Sequence, residues 1–268
     1  MRNWGLTLIL GFIVITHAGR SQVWIGSDDF QGNQINTNLW MTNVASIRNA
    51  SVFVSNGLKY SSTSSITEEN AYLTWANLLP KNENWTITAN AFVNNSSTLA
   101  SNQKIAVSLY LVSYFQSLGD SDYINNRKMF GVKLTSDSWG SEIIAVKTTN
   151  ATVGNWSAYK SGYKPLNEAT IALKYDAQNT TLSAWFNPLG LGEELSGMIK
   201  LTEMNIQDWN ILNNSASYYA ILGGQSESVQ TTGMDAYSTK INVVPEPSAL
   251  SLLAVGLGVL FRRNRKKD

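Results

Sequence analysis

Two short stretches concentrate the side chains best suited to meet a ligand. DSWGS (137–141) holds Trp139, and GNWSAYKSGY (154–163) holds Trp156, Tyr159 and Tyr163, all amid Gly, Ser and Asn. A loop aromatic among small polar residues can stack on the apolar face of a sugar while nearby amides and hydroxyls bond its hydroxyl groups. The same rings could instead pack within a compact loop, so both uses stay open. A third stretch, Asp120-Ser-Asp122 followed by Asn125 and Asn126, is rich in oxygen donors and could hold Ca²⁺. It lacks the glycine and closing glutamate of an EF-hand, and Asx-turns account for the same residues without an ion. Asp28-Asp29 could also meet an ion, and hydrogen bonds to a closing strand would explain Asp28 equally well.

Other chemistry is excluded by composition. Cysteine is absent, and the single histidine, His17, lies in an apolar N-terminal segment. The body of the chain therefore has neither disulfide nor imidazole, which rules out Ser-His-Asp catalysis, a His general base and His-ligated zinc. Glu68-Glu69 and Glu193-Glu194 are adjacent pairs that would face opposite sides of a strand, and Glu142 is the lone acid of EIIAVKTT. No catalytic residue is expected, and catalysis is left to carboxylates brought together from distant strands. Basic residues are scattered through a slightly acidic body, so no footprint for nucleic acid is seen. Asn-x-Ser/Thr at Asn84, Asn150 and Asn179 follows from an Asn- and Thr-rich composition.

The elements that must position these residues read as strands. WTITANAFV (85–93), KIAVSLYLVSYF (104–115), MFGVKLT (129–135), EIIAVKTT (142–149), ATIALKYD (169–176), TLSAWFN (181–187) and YYAILGG (218–224) alternate or are β-branched, between Asn, Gly and Ser clusters. ATIALKYDAQNTTLSAWFN reads as a hairpin turning at DAQNT. Lys200 to Leu212 spaces Leu201, Met204, Trp209 and Leu212 helically and is expected to be a short surface helix. Most of the other tryptophans, Trp185 among them, sit in alternating strands and are expected in the core.

Two segments, DDFQGNQINTNLW (28–40) and the ATIALKYD/TLSAWFN hairpin, resemble the concanavalin A-like lectin and glucanase superfamily. The resemblance implies a jelly-roll β-sandwich whose last strand, here GMDAYSTKINV (233–243), returns beside the first. Laminarinase-type members of that superfamily carry Glu-x-Asp-x-x-Glu on one strand, and this sequence has no such motif.

The two ends are of another character. Met1 to Ala18 has a basic start at Arg2, the apolar run LTLILGFIVI and small residues at Thr16 and Ala18, the pattern of a cleaved signal peptide. Ala249 to Phe261 is apolar and is followed by RRNRKK, which the positive-inside rule keeps cytoplasmic. Thirteen residues of helix cover about 20 Å, short of a ~30 Å hydrocarbon core, and counting from Val243 the segment just spans it. Pro245-Glu246-Pro247, the apolar run and Arg262-Arg263 resemble the PEP-CTERM sorting signal, which implies an exosortase-type processing enzyme as partner.

The expected organisation is a signal peptide (1–18), an all-β jelly roll (19–244) and a sorting segment with a hydrophobic anchor helix (245–268). The expected role is a non-catalytic, exported cell-envelope or matrix protein that binds extracellular polysaccharide, with no cofactor unless Ca²⁺ is held. The rivals are a glycoside hydrolase or lyase using scattered carboxylates, and a purely structural matrix protein.

Overall fold

A computed structural model describes residues 25–41, 45–47, 50–61, 69–93, 99, 103–112, 129–137, 139–147, 157–159, 167–192, 197–206, 219–226 and 236–245. These residues form two antiparallel sheets packed face to face. The first sheet runs β13 (Ile199–Asn205), β12 (Thr181–Phe186), β11 (Glu168–Asp176), β6 (Trp85–Val93), β15 (Ala236–Pro245), β4 (Leu58–Ser61) and β3 (Ser51–Val54). Its eighth strand, β1 (Gly26–Asp28), also pairs with β15. The second runs β10 (Ser157–Tyr159), β9 (Gly140–Lys147), β8 (Met129–Asp137), β7 (Lys104–Val112), β14 (Tyr219–Ser226), β5 (Glu69–Thr74) and β2 (Ala45–Ile47). The jelly-roll expectation holds, and the last strand returns beside the first, with Gly26 opposite Val243 and Asp28 opposite Ile241.

Alternation drives the sandwich. Along β11, Ala169, Ile171, Leu173 and Tyr175 enter the core while Lys174 and Asp176 take the other face. The hairpin β11–β12 closes with Asp176 opposite Thr181, at the turn the sequence marks. Trp40, Trp75 and Trp85 are buried in the shared core, with Trp40 and Trp75 edge to face at 5.1 Å. Adjacent glycines in β14 serve the two faces in turn. A Cβ on Gly223 would lie 2.1 Å from the Ala71 carbonyl oxygen, and one on Gly224 would lie 2.1 Å from the Tyr60 ring, so close approach requires glycine at both.

Two expectations are corrected. Lys200 to Asn205 lies in strand β13, not in a helix. Ile199, Leu201, Met204 and Ile206 all face the core, and the three-residue step from Leu201 to Met204 is produced by a β-bulge, not a helical turn. Trp209 and Leu212 lie outside the described residues. Trp185 is the second correction. It alternates with the core residues Ala184 and Phe186 and is therefore turned to the outer face of its sheet, half-buried.

Candidate functional site

The outer face of the seven-stranded sheet divides into an apolar and a polar half. Tyr72, Tyr110, Val112, Val146 and Ile221 form a small cluster apart from the main core, with the two tyrosine rings 6.0 Å apart. Further along the strands the register sets Asn70, Gln225, Ala106, Thr135 and Glu142 in one row. The neighbouring row holds Ser108, Lys133 and Ile144. Lys133 Nζ donates to Gln225 Oε1 at 3.5 Å across the rows. Asn70 Oδ1 and Ser108 Oγ are buried here without a hydrogen-bond partner among the described residues. Their burial puts both atoms out of reach of a ligand lying on the sheet, and leaving such an atom unmet costs about 1–3 kcal/mol. The surface between Lys104, Lys133, Thr135 and Gln225 is only a shallow depression of about 30 Å³, so a ligand would lie on it rather than inside it.

The polar half ends at the β8–β9 hairpin, which carries Trp139. Asp137 Oδ1 accepts the amide hydrogens of Trp139 at 2.8 Å and Gly140 at 3.2 Å, so one carboxylate fixes the turn. Gly140 has φ +149°, a conformation that side chains disfavour. Trp139 is 88% exposed on this fixed turn. Tyr159 ends β10 opposite Ile143, three residues along β9 from Gly140. Trp156, Tyr163, Asp120 and Asp122 lie outside the described residues, as do Glu246, Pro247, Arg262, Arg263 and the expected anchor helix. Pro245 is the exposed last residue of β15.

Asp28 bonds within its own turn and to a core tryptophan, not to side chains or amides of the closing strand. Its Oδ1 accepts the Phe30 amide hydrogen at 2.8 Å and its Oδ2 accepts the Trp40 indole hydrogen at 2.7 Å. Among the described residues no group of three or more His, Cys, Asp or Glu side chains could hold a metal, and no helix is long and apolar enough to cross a membrane. Glu142 stands opposite Thr135, not opposite a second acid.

The PEP-CTERM protein-sorting motif matches residues 243–266. No curated protein matches the chain by sequence. Lectin II from Ulex europaeus superposes with a TM-score of 0.51 at 9% identity, over 83% of this chain and 98% of the lectin. A β-1,3-glucanase from Mycobacterium marinum gives 0.49 at 12% identity, over 82% and 97%. A legume lectin-like domain from Entamoeba histolytica gives 0.48 at 12%, over 76% and 91%. The fold assignment rests on the first of these together with the sheet topology. The chain thus joins a domain of the concanavalin A-like lectin fold to a C-terminal PEP-CTERM sorting motif.

Proposed function

We propose that this protein is an exported, non-catalytic component of the cell envelope that binds neutral extracellular polysaccharide on the outer face of its seven-stranded sheet. The sorting motif supports export, and an exosortase-type enzyme is the partner that would process the tail. The observation that carries the binding assignment is Trp139, a large aromatic held in solvent by a carboxylate-braced turn at the end of a polar sheet face. A ring carried on a braced turn loses little backbone entropy on stacking against a sugar, and the polar rows beside it offer hydroxyl partners. Glycoside hydrolysis needs two carboxylates free to meet the sugar, and Asp137, the acid diagonal to Glu142 on this face, instead has Oδ1 taken up by the Trp139 and Gly140 amides.

Stacking and neutral hydrogen bonds on an open surface give weak affinity, in the millimolar to high micromolar range, or about −4 to −6 kcal/mol. Calorimetric titration of the exported protein with neutral glucan hexaoses tests this. Binding that is insensitive to salt and lost in Trp139→Ala is the expected result. Release of reducing sugar would instead identify a hydrolase, and no binding by any glycan would leave a structural matrix protein.

A further inference from the structure

The eight-stranded sheet bears a second aromatic surface on the opposite side of the sandwich, and a β-bulge builds it. β12 and β13 pair steadily from Thr181–Asn205 to Ala184–Thr202, and then Trp185 pairs with Lys200, leaving Leu201 as an extra residue. Residues three apart in an unbroken strand face opposite sides. The extra residue returns Lys200 and Glu203 to one outer face, where Nζ and Oε2 meet at 2.6 Å. Lys200 stands opposite Trp185, its Nζ 6.0 Å from the ring centroid, and Glu203 stands opposite Ser183. Ser183 Oγ accepts the Trp185 Nε1 hydrogen at 2.8 Å, which fixes the rotation of the indole. From β11, Lys174 lies opposite Ser183, and Asp176 lies opposite Thr181 at the hairpin end. Together these side chains line an open groove of about 360 Å³, within the range of small-ligand sites.

The chemistry of the groove selects its occupant. Lys174 and Lys200 are matched in number by Asp176 and Glu203, so no net field favours an anion or a cation. What remains is a fixed aromatic ring ringed by hydroxyl-bonding groups of both kinds. We propose that the Trp185 groove is a stacking subsite for a pyranose ring of a neutral polysaccharide, separate from the Trp139 face. The ligand class rests on the function proposed above, while the groove itself does not. Sites on opposite sheets cannot both be met by one short segment of glycan. Each molecule would therefore hold two chains, and a matrix would gain cross-links through multivalency.

The test is calorimetric titration of the exported protein and its Trp139→Ala, Trp185→Ala and doubly substituted forms, with thermal melts alongside. Laminarihexaose and cellohexaose are the neutral probes and an oligogalacturonate the anionic one. The wild type should bind two neutral hexaoses, each single variant one, and the double variant none. Trp185→Tyr should recover the lost site to within about tenfold, since a smaller ring still stacks. Glu203→Gln keeps the aromatic platform and removes one negative charge, so it should raise oligogalacturonate binding several-fold at low salt. Unaltered stoichiometry in Trp185→Ala overturns the inference and leaves the Trp139 face standing. Loss in Trp185→Ala with none in Trp139→Ala does the reverse. No neutral binding by the wild type overturns both. If Trp185→Ala melts early, the Trp185→Tyr and Glu203→Gln titrations decide, and wild-type behaviour of Glu203→Gln towards the anionic probe counts against the groove.

Discussion

The indole Nε1 of Trp40 donates a 2.7 Å hydrogen bond to Oδ2 of Asp28, twelve residues earlier in the chain. The other carboxylate oxygen takes the amide hydrogen of Phe30, whose φ of +52° is unusual for a bulky residue. Phe30 is nonetheless buried, with its ring 5.7 Å from that of Trp40. One carboxylate therefore locks a strained turn and a core tryptophan into the first strand of the sandwich. Asp28→Ala should cost about 1.5–3 kcal/mol, the worth of hydrogen bonds to a charged group. Urea unfolding followed by near-UV circular dichroism checks this, and an unchanged midpoint would make the turn self-sustaining.

Trp139 and Trp85 should respond oppositely to the same truncation. Trp139 is 88% exposed, so its replacement by alanine should leave the thermal midpoint almost unmoved. Trp85 is fully buried against Tyr175 at 5.4 Å, and Trp85→Ala should cost about 3–5 kcal/mol. Parallel melting curves separate the two.

The β11–β12 turn carries a titration signal. A side-chain hydrogen bond from Asn179, joined by the backbone amides of Asn179 and Gln178, holds Asp176 below its ordinary value of 3.8. A carboxyl lowered on folding stabilises the fold above its unfolded value, and that contribution disappears as the pH falls through the lower folded value. This group should therefore leave stability flat from pH 5 to 8 and weaken it only in strong acid, below about 3.8. Asn179→Ala should move the Asp176 midpoint upward in a carboxyl NMR titration. A midpoint that stays put would show that the backbone amides suffice.

The sorting motif begins inside the fold. It matches from residue 243, while β15 continues to Pro245 and buries Ile241 and Val243 completely. Ending the chain after Pro245 should preserve the melting temperature of the exported domain. Ending it after Lys240 removes Ile241 and Val243 from strands that pair with β1 and β6, and should abolish cooperative unfolding. A stable product of the shorter form would show that β15 is dispensable beyond Lys240.

Much of this molecule is written in local pattern. The runs at 85–93, 169–176 and 181–187 alternate so plainly that their strands and hairpin could be placed without coordinates, because side-chain period is a property of the chain alone. The motif at the C-terminus is likewise a matter of residue order and needs no folding to be recognised. Strands β2 to β4 and β10 were not legible, since three or four residues carry too little periodicity to stand out, and the six residues of β5 did not stand out either. Tertiary structure alone decided the rest. Whether a tryptophan in an alternating strand is core or surface depends on which face its sheet buries, and that put Trp185 outside and Trp75 within. The bulge at Leu201 depends on pairing between two strands, so no single-strand pattern could reveal that Lys200 and Glu203 share a face. Asp28 reads in sequence as an ion ligand or a partner of the closing strand, and only the fold showed the Trp40 indole at its second oxygen. Hydrogen-bond partners twelve residues apart are fixed by geometry, not by residue type.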